Sequence, residues 1–228
     1  MKKSLNWKTI TLILFVICII YIILLKTVDV GVIGPNDSKV GFSTLNGNYH
    51  QMFPKNMGWY NATKYLGFLP FLIVAYYGLV GCIQLKNRKS LAKVDKKLIL
   101  LGIFYILVGA TYFFFEEIVI NYRPVLMDGE LEASFPSSHT MLAICVCASS
   151  ILMSKYYIKD KKANDIITII TGVLMIVLVV GRFLSGVHWA TDILGGILIS
   201  GFLLSLFYSS LKVITSRKNY KVYEKVSK

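Results

Sequence analysis

Charged side chains are scarce in this sequence of 228 residues, since only 16% of them are Asp, Glu, Lys or Arg while 55% are hydrophobic. Acids are especially few, 12 against 25 Lys and Arg. A soluble domain of this length would not need apolar runs as long as bilayer-spanning helices in one segment after another. The shortage of charge therefore indicates a polytopic membrane protein.

Cysteine is also rare, and its placement argues against a disulfide or a metal site. All four cysteines lie inside apolar runs, and residues two apart on a helix, such as Cys145 and Cys147, point to different faces. We expect buried free thiols at Cys18, Cys82, Cys145 and Cys147. The first apolar run is not followed by a small-x-small cleavage pattern, so we interpret it as a retained helix.

Six apolar stretches have the length of about 20 residues that a bilayer-spanning helix requires. They predict an all-α bundle of six transmembrane helices, which we interpret as a single membrane domain over residues 1–228. Two connecting segments, near 26–65 and 121–135, are long enough to hold structure of their own. The predicted helices are 8–26, 66–85, 98–120, 139–157, 164–184 and 188–211.

Lys and Arg are distributed unevenly along this pattern. Most of them lie in the terminal segments and in the connections on the same side, including a basic tail near 212–228. Because cations are retained in cytoplasmic segments, we expect both termini in the cytoplasm and the two long loops on the extracytoplasmic face of the cell membrane. The basic pI near 9.5 is thereby explained, and we expect membrane lipids rather than nucleic acid as partners.

Several ionisable residues fall at the outer ends of predicted helices, where the bilayer disfavours them. His188 and Asp192 are four residues apart at the start of the last predicted helix, a spacing that stacks them on one face. A carboxylate that accepts the imidazole N–H would fix its tautomer and stabilise the cation formed when the other nitrogen attacks an electrophile. The pattern is short, and taken alone it is better explained by an interfacial histidine capped by a nearby acid.

The start of the fourth predicted helix is suited to phosphate. Pro136, Ser137 and Ser138 stand where helix caps belong, and the unpaired amides of a helix start attract phosphate. His139, the next residue, could protonate a leaving oxygen. Its simpler interpretation is a polar residue at the membrane interface.

Two arginines complete the set of candidates. Arg123 and Arg182 each offer a planar fork of donors for phosphoryl oxygens, although either alone could be a residue whose charge reaches the interface from a helix end. Because three separate segments place cations, imidazoles and a helix start on the same predicted face of the membrane, we favour one common phosphate site.

These residues together resemble the type 2 phosphatidic acid phosphatase family, which is related to the vanadium haloperoxidases and has the motifs K-x6-R-P, P-S-G-H and S-R-x5-H-x3-D. The motifs read here as Glu116-x6-Arg123-Pro124, Pro136-Ser137-Ser138-His139 and Gly181-Arg182-x5-His188-x3-Asp192. The resemblance implies that His188 forms a phosphohistidine, Asp192 orients it and His139 protonates the leaving group. It also implies phosphate binding by Arg123, Arg182, Ser137 and Ser138, with no metal and no cofactor.

Three positions depart from the family pattern, and Glu116 in place of the motif lysine is the largest departure. A carboxylate that faced phosphate would repel it unless it were protonated, paired with an arginine or turned away. The other two departures, Ser138 for Gly and Gly181 for Ser, are milder. The acids of the outer loops could suggest a cation site, but without tight ligand spacing a solvated acidic loop is the simpler interpretation.

The function implied by the resemblance is hydrolysis of a lipid phosphomonoester or diphosphate, with phosphatidic acid, phosphatidylglycerol phosphate and polyprenyl diphosphate as candidate substrates. One alternative is a lipid phosphotransferase, in which an alcohol replaces water. Another is a catalytically silent lipid-binding protein with the same fold. His50, in the first loop, matches none of the motifs, and we interpret it as a surface residue.

Overall fold

The computed structural model describes the backbone of residues 6–226 and the side chains of residues 6–216. Lys2 and Lys3 of the expected basic amino terminus, and Lys228 of the tail, lie outside the described residues. Within them the chain forms α1 (Trp7–Thr27), β1 (Gly31–Val32), β2 (Lys39–Val40), α2 (Ser43–Met52), α3 (Met57–Leu66), α4 (Leu69–Arg88), α5 (Lys96–Glu117), α6 (Ser138–Tyr157), α7 (Lys161–Leu184) and α8 (Ala190–Val226).

Six helical segments of the described chain are long and apolar enough to cross a membrane, which confirms the predicted all-α, polytopic fold. The second span, Met57–Arg88, consists of α3 and α4 and begins well before the predicted residue 66. The last span is Ala190–Ser216, and its helix continues to Val226, past the predicted end at 211. The basic tail at 212–228 therefore begins inside a helix.

The apolar residues of the outer helices remain exposed, as expected for surfaces that face lipid. Ile106 on α5, Leu72 on α4 and Ile169 on α7 are exposed to 73%, 65% and 65%. Helix α6 is the most buried span and lies among α4, α5, α7 and α8. Small side chains such as Ala143, Cys147 and Ser150 on α6 let its neighbours approach closely.

The cysteine prediction holds for three of the four residues. All four thiols are free, and Cys18, Cys145 and Cys147 are buried. Cys82 is exposed, contrary to the prediction, although it lies within the apolar helix α4. An apolar run shows that a residue is in the membrane but does not show whether it faces protein or lipid.

The first long loop folds back over the end of the bundle at which α7 connects to α8. Asn46 on α2 is fully buried, and its side-chain amide donates to the Gly41 carbonyl (2.8 Å) and to Oγ1 of Thr191 (2.9 Å). The backbone amide of Asn56 donates to the Ser185 carbonyl over 2.9 Å. These bonds fix the turn between α7 and α8 from outside.

The second long loop, residues 121–135, is a hairpin without a regular strand. Its two arms are joined by an isolated bridge between Tyr122 and Ala133 and by a 3.1 Å bond from the Arg123 amide to the Glu132 carbonyl. The tip contains Asp128 and Gly129 with φ of 51° and 87°, the sign required by a type I′ turn. The hairpin returns the chain to α6 and holds Arg123 at the end of the bundle where α6 begins.

Candidate active site

His188 lies in the turn between α7 and α8, two residues before α8 begins, and its side chain is 1% exposed. The turn depends on Gly186, whose φ is +61°, because a Cβ at this position would lie 2.4 Å from the Phe53 carbonyl oxygen. The prediction that the last helix starts at His188 is therefore wrong. His188 and Asp192 do not stack as residues four apart on one helix.

The ring of His188 is oriented by Ser134. Nδ1 lies 3.1 Å from the Ser134 carbonyl oxygen and 3.0 Å from Oγ of the same residue. Since a carbonyl can only accept, Nδ1 carries the proton and Nε2 keeps its lone pair. Nε2 is buried and has no hydrogen-bond partner among the described residues.

Burial lowers the pKa of the His188 imidazole well below its ordinary value. The positive charges of Arg123 and Arg182 lower this pKa further, while the hydrogen bond from Nδ1 to the Ser134 carbonyl opposes the shift. His188 is accordingly neutral at physiological pH, the state in which Nε2 can act as a nucleophile.

Asp192 is fully buried and does not contact the imidazole directly. Its Oδ2 accepts hydrogen bonds from the Ser134 hydroxyl (2.6 Å) and from the Trp189 amide (3.1 Å), and its Oδ1 accepts one from the Asn121 side chain (3.0 Å). Because α8 starts only at Ala190, the carboxylate lies in the first helical turn and bonds to the helix start. The direct bond from His188 to Asp192 that the sequence suggested is replaced by a link through Ser134.

Ser134 and Asn121 are the functional candidates that the sequence reasoning missed. Both were assigned only to the loop at 121–135, of which they are the near-terminal residues. One signal in the sequence could have indicated Ser134. It is a small polar residue two positions before Pro136, directly ahead of the segment that is predicted to bind phosphate.

The Arg182 guanidinium is an unpaired buried cation at the end of α7. Its side chain is 1% exposed, and Nε, Nη1 and Nη2 have no hydrogen-bond partner among the described residues. The guanidinium carbon lies 5.0 Å from the centre of the Tyr60 ring on α3. A buried charge without a partner costs several kcal/mol in general, so this arrangement is typical of a site that takes an anionic ligand.

Arg123 contributes a second guanidinium from the hairpin. Its Nε lies 3.0 Å from Oε2 of Glu132, but at an angle that makes no hydrogen bond, and its Nη1 is buried without a partner among the described residues. Arg123 therefore keeps donors available although it forms an ion pair.

His139 is the second residue of α6 and is half-buried, and its Nδ1 has no hydrogen-bond partner among the described residues. Ser137 precedes the helix as expected, but its hydroxyl pairs with Oγ1 of Thr140 (3.0 Å) and does not cap the backbone. The Ser137 amide donates to the Asp192 carbonyl over 3.0 Å. The starts of α6 and α8, which carry His139 and Asp192, are thereby tied together.

Two adjoining cavities lie at this end of the bundle. The large cavity, of about 480 Å³, is lined by Tyr60, Lys64 and His139 together with apolar residues of α4 to α7. The small cavity, of about 10 Å³, is lined by His188 and Glu116 among others. Their lining residues overlap at Tyr112 and Ser138. Glu116 thus lines the same cavity as His188.

The packing of the chain between α1 and α4 bears on two further positions, His50 and Gly181. His50 is only partly exposed, with a buried Nδ1, and packs edge-on against Trp189 at a ring distance of 5.6 Å, so its interpretation as a surface residue is wrong. At Gly181, where the family motif has serine, a Cβ would lie 2.4 Å from Cγ2 of Thr63. The close packing of α3 on α7 accounts for this departure.

No group of three His, Cys, Asp or Glu side chains within the described part of the chain could hold a metal ion. The acids of the outer loops do not come together as ligands there. Independence of metal and cofactor stays a prediction for the assay described below.

Comparison with known proteins places the chain in a family. A family model described as the PAP2 superfamily matches residues 70–215, which is more than half of the chain and includes the positions of all three motifs. The chain belongs to the PAP2 superfamily. The family expected from the motifs is thereby confirmed.

Two relatives of this PAP2 chain come from Bacillus subtilis. Phosphatidylglycerophosphatase B is 31% identical over 101 residues, which cover 42% of this chain and 49% of that protein, so the match spans about half the length of the relative. The crystal structure of a transmembrane PAP2 type phosphatidylglycerolphosphate phosphatase is similar with a TM-score of 0.58 and 20% identity, over 90% of this chain and 96% of that chain. The structural likeness shows the fold.

Proposed function

We propose that this PAP2 protein is a membrane lipid phosphatase that hydrolyses a phosphomonoester or diphosphate through a phosphohistidine on His188. The observation that carries the proposal is the set of buried nitrogens on Arg123, Arg182, His139 and His188 that have no hydrogen-bond partner among the described residues. The hairpin, the end of α7, the start of α6 and the turn before α8 contribute them. An anionic tetrahedral group suits this set, because its oxygens accept from the guanidinium N–H groups while its phosphorus is open to the Nε2 lone pair of His188.

The first step is in-line attack by Nε2 of His188 on the terminal phosphorus. The N–P bond forms while the bond from phosphorus to the leaving oxygen breaks, and His139 gives its proton to that oxygen. Arg123 and Arg182 hold the phosphoryl oxygens, where negative charge is concentrated in the transition state, and the amide end of α6 at Ser138 assists them. Ser137, which the sequence also suggested for phosphate binding, already uses its amide on the Asp192 carbonyl and its hydroxyl on Thr140. Asp192 supports the imidazolium through Ser134.

The second step returns the protein to its starting state. His139, now neutral, takes a proton from water, the water oxygen bonds to phosphorus and the N–P bond breaks. The products are inorganic phosphate and the dephosphorylated lipid, and neither step uses a metal ion or a cofactor. The two cavities adjoin at Tyr112 and Ser138, which line both of them, so the phosphorus binds between the two histidines at this place.

A lipid substrate is supported by the position of the cavities. The large cavity continues from His139 along apolar residues of the transmembrane helices, including Phe71, Leu142 and Leu178. Acyl or prenyl chains fit such a surface while the phosphate stays at the helix ends. The distribution of Lys and Arg supports an active site on the extracytoplasmic face with both termini in the cytoplasm. The relatives named for phosphatidylglycerophosphatase activity support phosphatidylglycerol phosphate as a substrate.

The test uses purified full-length protein in detergent with a metal chelator present. Release of free phosphate is measured from phosphatidylglycerol phosphate, phosphatidic acid and polyprenyl diphosphate, for the wild type and for His188→Ala. We expect release from at least one lipid by the wild type and none by the variant, with both proteins equally folded by thermal unfolding. No release from any lipid would contradict the phosphatase function and favour a silent lipid-binding protein. Phosphate transfer to added glycerol in place of free phosphate would favour a phosphotransferase.

A further inference from the structure

Lys64 is a cation of the cavity that the family motifs do not include. It lies on α3, in the first part of the second span and before residue 70, at which the family match begins. Its side chain is exposed and lines the large cavity together with His139, whereas Glu116 lines the small cavity with His188. Lys64 is therefore on the His139 side of the site, away from the nucleophile.

Helix α3 is held firmly in this place. Its start is capped by Asn56, whose Oδ1 accepts from the Trp59 amide over 3.1 Å. Thr63 is buried and packs against the backbone of α7 at Gly181. At the other end of α3, a Cβ at Gly67 would lie 3.3 Å from Cδ2 of His139, so that the absence of a side chain lets the helix end approach the imidazole. The position of Lys64 relative to His139 is thus set by packing on two sides.

The ring of Tyr60 lies close to two cations of the site. Nζ of Lys64 is 5.9 Å from the ring centre, and the guanidinium carbon of Arg182 is 5.0 Å from it. Both distances are within the range of a cation–π contact. A lipid headgroup that carries two phosphates can therefore place one phosphate on Arg182 and the other near Lys64.

This inference rests on the function proposed above, in which His139 protonates the leaving oxygen. We propose that Lys64 binds a negative charge on the leaving group, and so selects lipids that keep a second phosphate after cleavage. Phosphatidylglycerol phosphate leaves as phosphatidylglycerol, which has an anionic phosphodiester, and a polyprenyl diphosphate leaves as a monophosphate. Phosphatidic acid leaves as neutral diacylglycerol and offers Lys64 no charge.

The bond changes are those of the first catalytic step. The bond between the terminal phosphorus and the bridging oxygen breaks, and the proton of His139 goes to that oxygen. Lys64 gains and loses no proton, and its charge stabilises the anion that the departing lipid retains.

The experiment compares kcat/KM of the wild type, Lys64→Gln and Lys64→Arg on three lipids at low salt. We expect Lys64→Gln to lower kcat/KM about tenfold for phosphatidylglycerol phosphate and for polyprenyl diphosphate, and less than about twofold for phosphatidic acid. Lys64→Arg should restore most of the loss. Lys39→Gln is the matched control, since Lys39 is an exposed lysine of the first long loop and lines neither cavity, and its values should equal those of the wild type.

Salt provides a second measurement. Screening by added NaCl should reduce the preference of the wild type for the lipids with two phosphates and leave Lys64→Gln nearly unchanged. Equal losses of kcat/KM on all three lipids, or no loss on any, would overturn the role of Lys64 while the wild-type activity still supported a phosphatase. A wild type without phosphate release from any lipid would overturn the proposed function and this inference with it.

Discussion

The Ser134 hydroxyl donates a 2.6 Å hydrogen bond to Oδ2 of Asp192, and this bond connects the loop before α6 with the first turn of α8. The same hydroxyl oxygen lies 3.0 Å from Nδ1 of His188 and can accept a hydrogen bond from its N–H. The carboxylate therefore acts on the imidazole through one intervening side chain. In this arrangement Ser134 is a positioning residue for the nucleophile.

Removal of this link is the first prediction. Ser134→Ala leaves Nδ1 bonded to the backbone carbonyl but takes one donor from the buried Asp192 carboxylate, so we expect kcat to fall on the order of tenfold with little change in KM. Ser200→Ala is the control, because the Ser200 hydroxyl donates to the Gly196 carbonyl within α8, away from the site. A Ser134→Ala enzyme with unchanged kcat, or one with raised KM alone, would contradict the positioning role.

The sequence predicted most of this site because its residues follow fixed spacings at helix ends. Six apolar runs and the segregation of Lys and Arg were sufficient for the transmembrane bundle, and the motif residues Arg123, His139 and Arg182 do lie at one end of it. The helix start at Ala190 could not be predicted, because it depends on the turn at Gly186, which is shaped by the backbone of the first loop at Phe53 and Pro54. The role of Ser134 follows from that shift.

Contacts between distant segments also could not be predicted from the sequence. Asn46 and Thr191 are separated by 145 positions, and no local pattern indicates that their side chains meet. Likewise, nothing in the spacing of Lys64 shows that α3 reaches His139. Such residues become candidates only when the fold of the first loop is known.

The second prediction concerns the buried guanidinium of α7. Arg182→Lys keeps a positive charge but loses the planar fork of donors, so we expect kcat/KM to fall on the order of 100-fold. Arg88→Lys, at the far end of α4, serves as the matched control. Steady-state kinetics with one lipid substrate are sufficient. A wild-type kcat/KM in Arg182→Lys would show that bidentate phosphate binding is not needed.

The third prediction concerns the departure at Glu116. Since this carboxylate lines the cavity of His188, Glu116→Lys should strengthen binding of inorganic phosphate, measured as a several-fold lower inhibition constant. Glu117→Lys adds the same charge on a different face of α5 and should change the constant less. An equal change in both variants would mean that phosphate binding responds only to the overall charge at this end of α5.

The fourth prediction follows from the lowered pKa of His188. The nucleophile must be neutral, so activity from this group is lost only as the pH falls through its pKa, well below the ordinary histidine value. Arg123→Gln removes a cation that lowers this pKa, so the pKa rises and the acid limb of kcat/KM moves to higher pH. The comparison is made on one lipid, whose own titration is the same for both proteins. If the acid limbs of the two profiles have the same midpoint pH, the charge of Arg123 does not act on His188.

Transfer of phosphate to His188 is tested by trapping the phosphohistidine. The purified protein is mixed with a lipid carrying a labelled terminal phosphate, quenched within the first turnover under alkaline conditions that preserve phosphohistidine, and analysed by peptide mass spectrometry. We expect label on the peptide that contains His188 in the wild type and none in His188→Ala. Label on another residue, or lipid hydrolysis at the wild-type rate by His188→Ala, would contradict transfer to His188.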